Sequence, residues 1–172
     1  MPRLSKNTLI AFVAATLAGA CLHFVYALAP NFVTAVFSPV NESLWEHVKI
    51  IFWPFLATAL LLTRRGEKGC RGPWLLSLLM ICAVMLGVGY VYHVKAMGES
   101  LVFDVVLYVL LMAAGFVLAV VLARPAVRKR TDLLTLMVLA LGVGLVLFAF
   151  LPPDNILFTD LSGVNTWARI PC

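Results

Sequence analysis

The chain has little charge for its length. Of its 172 residues, 13 are lysine or arginine and 8 are aspartate or glutamate, so that 12% are charged. A soluble domain carries about 25%. Apolar residues make up 63% of the chain, and the mean hydropathy is +1.02. Because so few charges cannot cover the surface of a water-soluble domain, the composition predicts a protein of the lipid bilayer.

Cysteine is also scarce, and its placement excludes two classes of site. The four cysteines form no C-x-x-C pair, the spacing typical of a metal knuckle. Cys21 and Cys82 fall inside apolar runs, where cysteine behaves as a small hydrophobic residue. The basic residues are not accompanied by the base-reading or stacking elements of a nucleic-acid-binding surface. The sequence therefore predicts neither a disulfide framework nor a nucleic-acid partner.

Five apolar segments are long enough to cross a membrane. About 20 helical residues span a hydrocarbon core of ~30 Å, and a lone segment in lipid must be helical to satisfy its own backbone hydrogen bonds. The predicted helices are Thr8–Leu28, Val40–Leu62, Trp74–Val94, Leu101–Ala123 and Leu133–Leu151. Because the connections are too short for a soluble domain, residues 1–172 are predicted to form one all-α membrane bundle, with a tail at 152–172.

The basic residues predict how the bundle is oriented. Most of them fall in the N-terminus and in the second and fourth connections, which lie on one side of a five-pass protein. These residues are Arg3, Lys6, Arg64, Arg65, Lys68, Arg71, Arg124, Arg128, Lys129 and Arg130. By the positive-inside rule the N-terminus is cytoplasmic and the C-terminus external, in a multi-pass protein of the plasma membrane. The same clusters predict contact with anionic lipid at the cytoplasmic loops.

Ionisable residues gather at the predicted external ends of the helices. Six of the eight acids and all three histidines map there: Glu42, Glu46, Glu99, Asp104, Asp154, Asp160, His23, His47 and His93. His23 shares a helical stripe with small residues, which membrane helices use for close packing. We therefore expect His23 to point into the bundle. Since ionisable groups at membrane depth are costly and are often functional, the pattern predicts a polar site that faces outward.

The polar segment before the second helix also has a purely structural interpretation. A hydroxyl or amide cap, a proline in the first turn and acids near the positive end of the helix dipole make an ordinary helix start. Ser43 and Glu46 match the S-x-x-E capping box. On the other hand, Glu42 and Glu46 lie four residues apart and repel each other, which calls for a nearby lysine, proton or metal cation. Both interpretations stay open at this point.

The same segment carries a resemblance to a known family. The stretch FSPVNESLWEHVK at residues 37–49, with His23-Phe24 before it and Pro152-Pro153 after it, resembles the signature of small bacterial multi-pass membrane proteins of unknown function. The resemblance implies a five-helix membrane fold and no assigned activity. His93 departs from the family, which has a threonine-like residue there. The resemblance places these residues on the family's polar positions: His23, Asn41, Glu42, Ser43, Glu46, His47, Lys49, Asp104 and Asp160.

One hypothesis is an enzyme, a hydrolase or transferase that acts on a lipid-type substrate at the outer face. His23, His47 and Asp104 would hold a divalent metal such as zinc. Glu42 or Glu46 would act as the base, with a metal-bound water as the nucleophile. The candidates for substrate binding are Asn41, Ser43, Lys49 and Asp160.

Two other hypotheses stay open beside the enzyme. In a non-catalytic structural or partner-binding component, Glu46–Lys49 and His23–Asp104 would be ties between segments. In a proton-coupled transporter, Glu46, His23 and Lys49 would form a relay inside the membrane. The sequence does not decide whether the protein is an enzyme.

Overall fold

Five long apolar helices form the molecule, joined by two short ones. The computed structural model describes residues 6–64, 66 and 69–162. Its helices are α1 (Lys6–Leu28), α2 (Phe32–Phe37), α3 (Leu44–Thr63), α4 (Gly72–Gly89), α5 (Leu101–Val121), α6 (Pro125–Arg128) and α7 (Thr131–Phe150). No strand occurs in this part of the chain. The five long helices are long and apolar enough to span a membrane, which confirms the predicted fold class.

Two features of the chain path differ from the prediction. The second spanning helix, α3, begins at Leu44 rather than at Val40, because Ser43 is its N-cap and accepts a hydrogen bond from the Glu46 amide at 3.3 Å. The residues before it form α2 and a loop. In addition, α4 continues as a π-helix over Tyr90–Lys95, a form that is rare and occurs often at functional sites.

The helix α3 lies at the centre of the bundle. It packs against α1, α4, α5 and α7, and it is the most buried of the spanning helices. Its Phe55 meets Phe116 of α5 edge to face, and Trp74 of α4 meets the same ring. Lipid is as apolar as these side chains, so the hydrophobic effect does not drive such helices together. Close van der Waals packing holds them instead.

Three helices meet at Gly19 of α1. A Cβ atom added to Gly19 would overlap the carbonyl oxygen of Ile50 in α3 and the hydroxyl of Tyr108 in α5. The Tyr108 hydroxyl donates a hydrogen bond to the Thr16 carbonyl at 2.7 Å. The absence of a side chain at Gly19 therefore allows α1, α3 and α5 to approach one another at this point.

This crossing point sets the depth of the polar residues. We call the end of the bundle where α1 finishes and α3 begins the histidine end. His23, His47 and Asp104 lie three or four residues from Gly19, Ile50 and Tyr108 respectively, each toward the histidine end. At 1.5 Å per residue that is about 5–6 Å in each helix. Residues from three separate helices thus reach one level.

The close approach at Gly19 predicts an effect of adding one methyl group there. Gly19→Ala should lower the free energy of unfolding by about 1–3 kcal/mol, the usual cost of overpacking, and lower the thermal unfolding temperature in detergent. Gly87→Ala is the matched control, because a Cβ at Gly87 meets nothing within 4 Å. Equal unfolding temperatures for the two variants would contradict this account of the crossing.

Candidate metal centre

Two histidines and one glutamate meet at the histidine end. The Glu42 carboxylate lies between the two rings, with Oε1 3.8 Å from His23 Nε2 and Oε2 3.2 Å from His47 Nε2. The ring centroids of His23 and His47 are 5.2 Å apart. One ligand atom from each of the three residues lies within 4.8 Å of the others. These three residues, which we call the His–Glu cluster, come from α1, the loop before α3, and α3.

A backbone carbonyl fixes the orientation of His47. Its Nδ1 lies 2.9 Å from the Ser43 carbonyl oxygen, which can only accept a hydrogen bond, so Nδ1 carries the hydrogen. In the neutral ring, Nε2 then directs its lone pair toward the Glu42 carboxylate, another acceptor. A cation, either a proton or a metal ion, has to satisfy both groups. Metal-binding histidines commonly donate their second N–H to a carbonyl in this way.

The charge on Glu42 is stabilised by the same contact. The hydrogen-bonding contact with His47 holds the pKa of the Glu42 carboxyl below its usual range, against the opposing effect of partial burial. The Glu42 side chain is still 49% exposed, whereas the side chains of His23 and His47 are 25% and 22% exposed. The His–Glu cluster is therefore open on the Glu42 side, and its carboxylate is available as an anionic ligand.

His23 is held by a residue that the sequence argument did not select. The buried Ser38 hydroxyl donates to the Leu22 carbonyl and accepts from the Tyr26 amide at 3.0 Å, on either side of His23. His23 Nδ1 is buried and has no hydrogen-bond partner among the described residues, which is uncommon for a buried polar atom. Ser38 belongs to the quoted stretch at 37–49, but a serine before a proline carried no sign of this contact.

Glu46 and Lys49 form a buried ion pair. Glu46 is 2% exposed and Lys49 is fully buried. The Lys49 ammonium donates to Glu46 Oε2 at 2.6 Å, to the Ala35 carbonyl at 2.8 Å and to the Ser38 carbonyl at 3.5 Å. Glu46 Oε2 also accepts from the Val40 amide at 2.9 Å. The pair thus joins α3 to α2 and to the following loop. Lys49 engages Oε2, whereas Glu46 Oε1 is buried without a hydrogen-bond partner among the described residues.

The other predicted substrate-binding residues support the loop that carries Glu42. Asn41 Oδ1 accepts from the Ser43 amide at 2.9 Å, and buried Ser43 caps α3. Asp160 is buried, and its Oδ1 accepts hydrogen bonds from the amide and hydroxyl of Ser162 at 2.9 and 2.6 Å. The neighbouring Leu161 amide donates to the Glu42 carbonyl at 3.4 Å. These contacts position Glu42 from both sides.

Asp104 reaches the same level but pairs with a different histidine. Its Oδ1 lies 2.8 Å from His93 Nε2. The structure therefore groups Glu42, rather than Asp104, with His23 and His47, and the expected His23–Asp104 tie is replaced by His93–Asp104. The reason is local: the π-helix turns His93 toward the start of α5, while the loop before α3 brings Glu42 over the two other histidines.

The buried ion pair predicts a large effect from a single neutralisation. Lys49→Met leaves a buried carboxylate without its partner, so the free energy of unfolding should fall by about 3–5 kcal/mol. Adding Glu46→Gln should restore part of that loss, because neutral replacement of both partners is far less costly. Unfolding in detergent measures both variants, with Lys95→Met, an exposed lysine, as control. A Lys49→Met protein as stable as Lys95→Met would refute a structural role for the pair.

Comparison with known proteins identifies only the family. No curated protein and no solved structure matches the chain. One protein family matches residues 1–165, which is nearly the whole length, and it is described as a family of unknown function, DUF6512. The predicted membership of a family without an assigned function is thus confirmed. The chain belongs to the DUF6512 family.

Proposed function

We propose that this protein is a membrane-embedded hydrolase or transferase in which the His–Glu cluster binds a divalent metal ion such as zinc. One observation carries the proposal: His47 Nδ1 is committed to the Ser43 carbonyl, while Nε2 faces the Glu42 carboxylate at 3.2 Å. Two histidines and one glutamate are a ligand set of catalytic zinc sites, in which the fourth position is left to water or substrate.

The ligand set fits the environment of the cluster. Two neutral imidazoles and one carboxylate supply borderline nitrogen and hard oxygen donors, which suit zinc. His23 Nδ1 is buried without a hydrogen-bond partner among the described residues, so no protein contact there fixes the tautomer of this ring. Partial exposure on the Glu42 side leaves access for water. A divalent metal there would polarise a carbonyl or phosphoryl oxygen and make a bound water more acidic.

The apolar surroundings of the cluster support a lipid-type substrate. The exposed Phe24 ring meets the His23 ring edge to face, and Leu28 of α1 and Phe32 of α2 are exposed as well. A substrate with an apolar chain would reach the cluster from within the bilayer. In hydrolysis of an ester, the water oxygen bonds to the carbonyl carbon and the bond from that carbon to the leaving oxygen breaks. The leaving oxygen takes one proton from the water, and the other remains with the acid product.

A non-catalytic role is the second candidate. Without a metal, a protonated His47 between the Ser43 carbonyl and Glu42 would tie α3 to the loop, as Glu46–Lys49 ties it to α2. Substitutions in the cluster would then lower stability without removing a ligand. The transport relay has less support, because Glu46 and Lys49 are engaged with each other. The predicted orientation, plasma-membrane placement and contacts with anionic lipid remain proposals from the basic residues.

Metal binding tests the first part of the proposal. Protein purified in detergent is stripped with a chelator, dialysed against zinc and analysed for zinc per chain. We expect one zinc per chain in the unmodified protein, and loss of most of it in His47→Ala and Glu42→Gln, because each removes one of only three ligands. Glu99→Gln is the control, since Glu99 is an exposed acid at the same end. Zinc-free unmodified protein, or a His47→Ala protein that binds equally well, would rule out this site.

Hydrolysis tests the second part. Zinc-loaded protein in mixed lipid–detergent micelles is given fluorogenic lipid esters and lipid phosphodiesters. We expect release of the fluorophore, and its loss in Glu42→Gln alongside loss of zinc. An unfolding temperature for each variant identifies any that fail to fold. Stoichiometric zinc with no turnover of either substrate class would favour a structural metal and the non-catalytic role.

A further inference from the structure

His93 and Asp104 form a second polar pair beside the His–Glu cluster. His93 Nε2 lies 2.8 Å from Asp104 Oδ1, and His93 Nδ1 lies 2.9 Å from the Gly98 carbonyl oxygen. The carbonyl can only accept, so Nδ1 carries a hydrogen. A neutral ring would then present a lone pair to a carboxylate. The 2.8 Å contact is therefore a hydrogen bond only when a proton lies between Nε2 and Oδ1.

Packing of the π-helix against α5 holds this pair in place. Tyr92 stacks on Phe103, with ring centroids 3.6 Å apart, and a Cβ at Gly98 would collide with the Tyr92 ring. The His93 side chain is 14% exposed, whereas that of Asp104 is 41% exposed. His93 is therefore the more buried partner, and the Asp104 carboxylate remains partly exposed.

Asp104 is not needed to cap the helix that it begins. Ser100 is the N-cap of α5, and its hydroxyl accepts a hydrogen bond from the Phe103 amide at 3.4 Å. The ordinary structural reason for an acid in the first turn, capping, is therefore already met by another residue. Instead, one oxygen of the Asp104 carboxylate contacts His93, and part of the carboxylate remains exposed.

The pair lies at the level of the His–Glu cluster. Asp104 is one turn from the Tyr108 contact with Gly19, on the same side of the crossing as His23. Asp104 and Tyr108 lie four residues apart and share one face of α5, as His23 and Gly19 share one face of α1. Asp104 is not among the three residues whose ligand atoms group together. Asp104 therefore lies at the depth of the cluster, next to it rather than among its ligands.

We propose, resting on the metal site proposed above, that Asp104 is the proton acceptor for the water at the open ligand position and that His93 is its positioning residue. One O–H bond of the water breaks and its proton passes to the Asp104 carboxylate. The oxygen electron pair of the water forms the bond to the electrophilic carbon of the substrate. The proton then passes from Asp104 to the leaving oxygen as its bond to that carbon breaks.

Cobalt(II) bound in place of zinc tests this role without a known substrate. Its visible spectrum is recorded against pH, so that loss of a proton from the bound water gives a midpoint. In Asp104→Asn we expect the midpoint to fall by about one pH unit or more, since a nearby anion opposes loss of that proton. In His93→Gln the midpoint should rise, because Asp104 loses its cationic partner. In Glu99→Gln, which removes an exposed acid at the same end of the bundle, it should not move.

Cobalt content separates the possible failures. Both Asp104→Asn and His93→Gln should retain one cobalt per chain, because neither residue is a ligand. Loss of cobalt in Asp104→Asn would make Asp104 a ligand and overturn its role as proton acceptor. Full cobalt with the same midpoint in all variants, or with no pH transition, would overturn this inference alone. Unmodified protein that binds neither cobalt nor zinc would overturn both the inference and the metal site.

Discussion

A buried ammonium group must have its charge and its hydrogens satisfied, and Lys49 finds its partners in the segment that comes before its own helix. The ammonium reaches back to carbonyls of Ala35 and Ser38, and Glu46 beside it accepts from the Val40 amide. In an interior of low polarity each of these contacts is strong, and leaving one unmade is costly. The course of the chain from α2 to α3 is therefore set by one ion pair. Because Glu42 lies in that same loop, its position over the histidines depends on the pair as well.

The second constraint is steric and lies on the side of the polar residues that is away from the histidine end. The contact of three helices at Gly19 fixes how far His23, His47 and Asp104 stand above it, and Ser38 fastens the loop to the turn of α1 that carries His23. The site thus lies between a close helix crossing and a loop that is held in place. Neither device contributes a ligand. Together they bring groups from distant parts of the sequence to within a few ångströms of one another, which is what a preorganised site requires.

The sequence predicts the parts of this structure that depend on local or periodic patterns. Apolar runs of about 20 residues identify the five spanning helices, and the shared depth of the histidines follows from counting residues along those helices. The sequence does not predict the start of α3 at Leu44, because a capping serine and a distant lysine determine the course of the loop. The choice between Glu42 and Asp104 beside His47 is equally non-local: it depends on the loop on one side and on His93 on the other.

Because of the π-helix at Tyr90–Lys95, the pairing of His93 with Asp104 depends on the number of residues in this segment as well as on the histidine itself. Each residue advances an α-helix by about 100°, so deleting one residue from this segment would swing the imidazole away from α5 even if histidine were kept. Alignments of related chains should therefore be examined for gaps in the last turns of α4 before the amino acid at this position is compared. A relative one residue shorter there would need another side chain to support its aspartate.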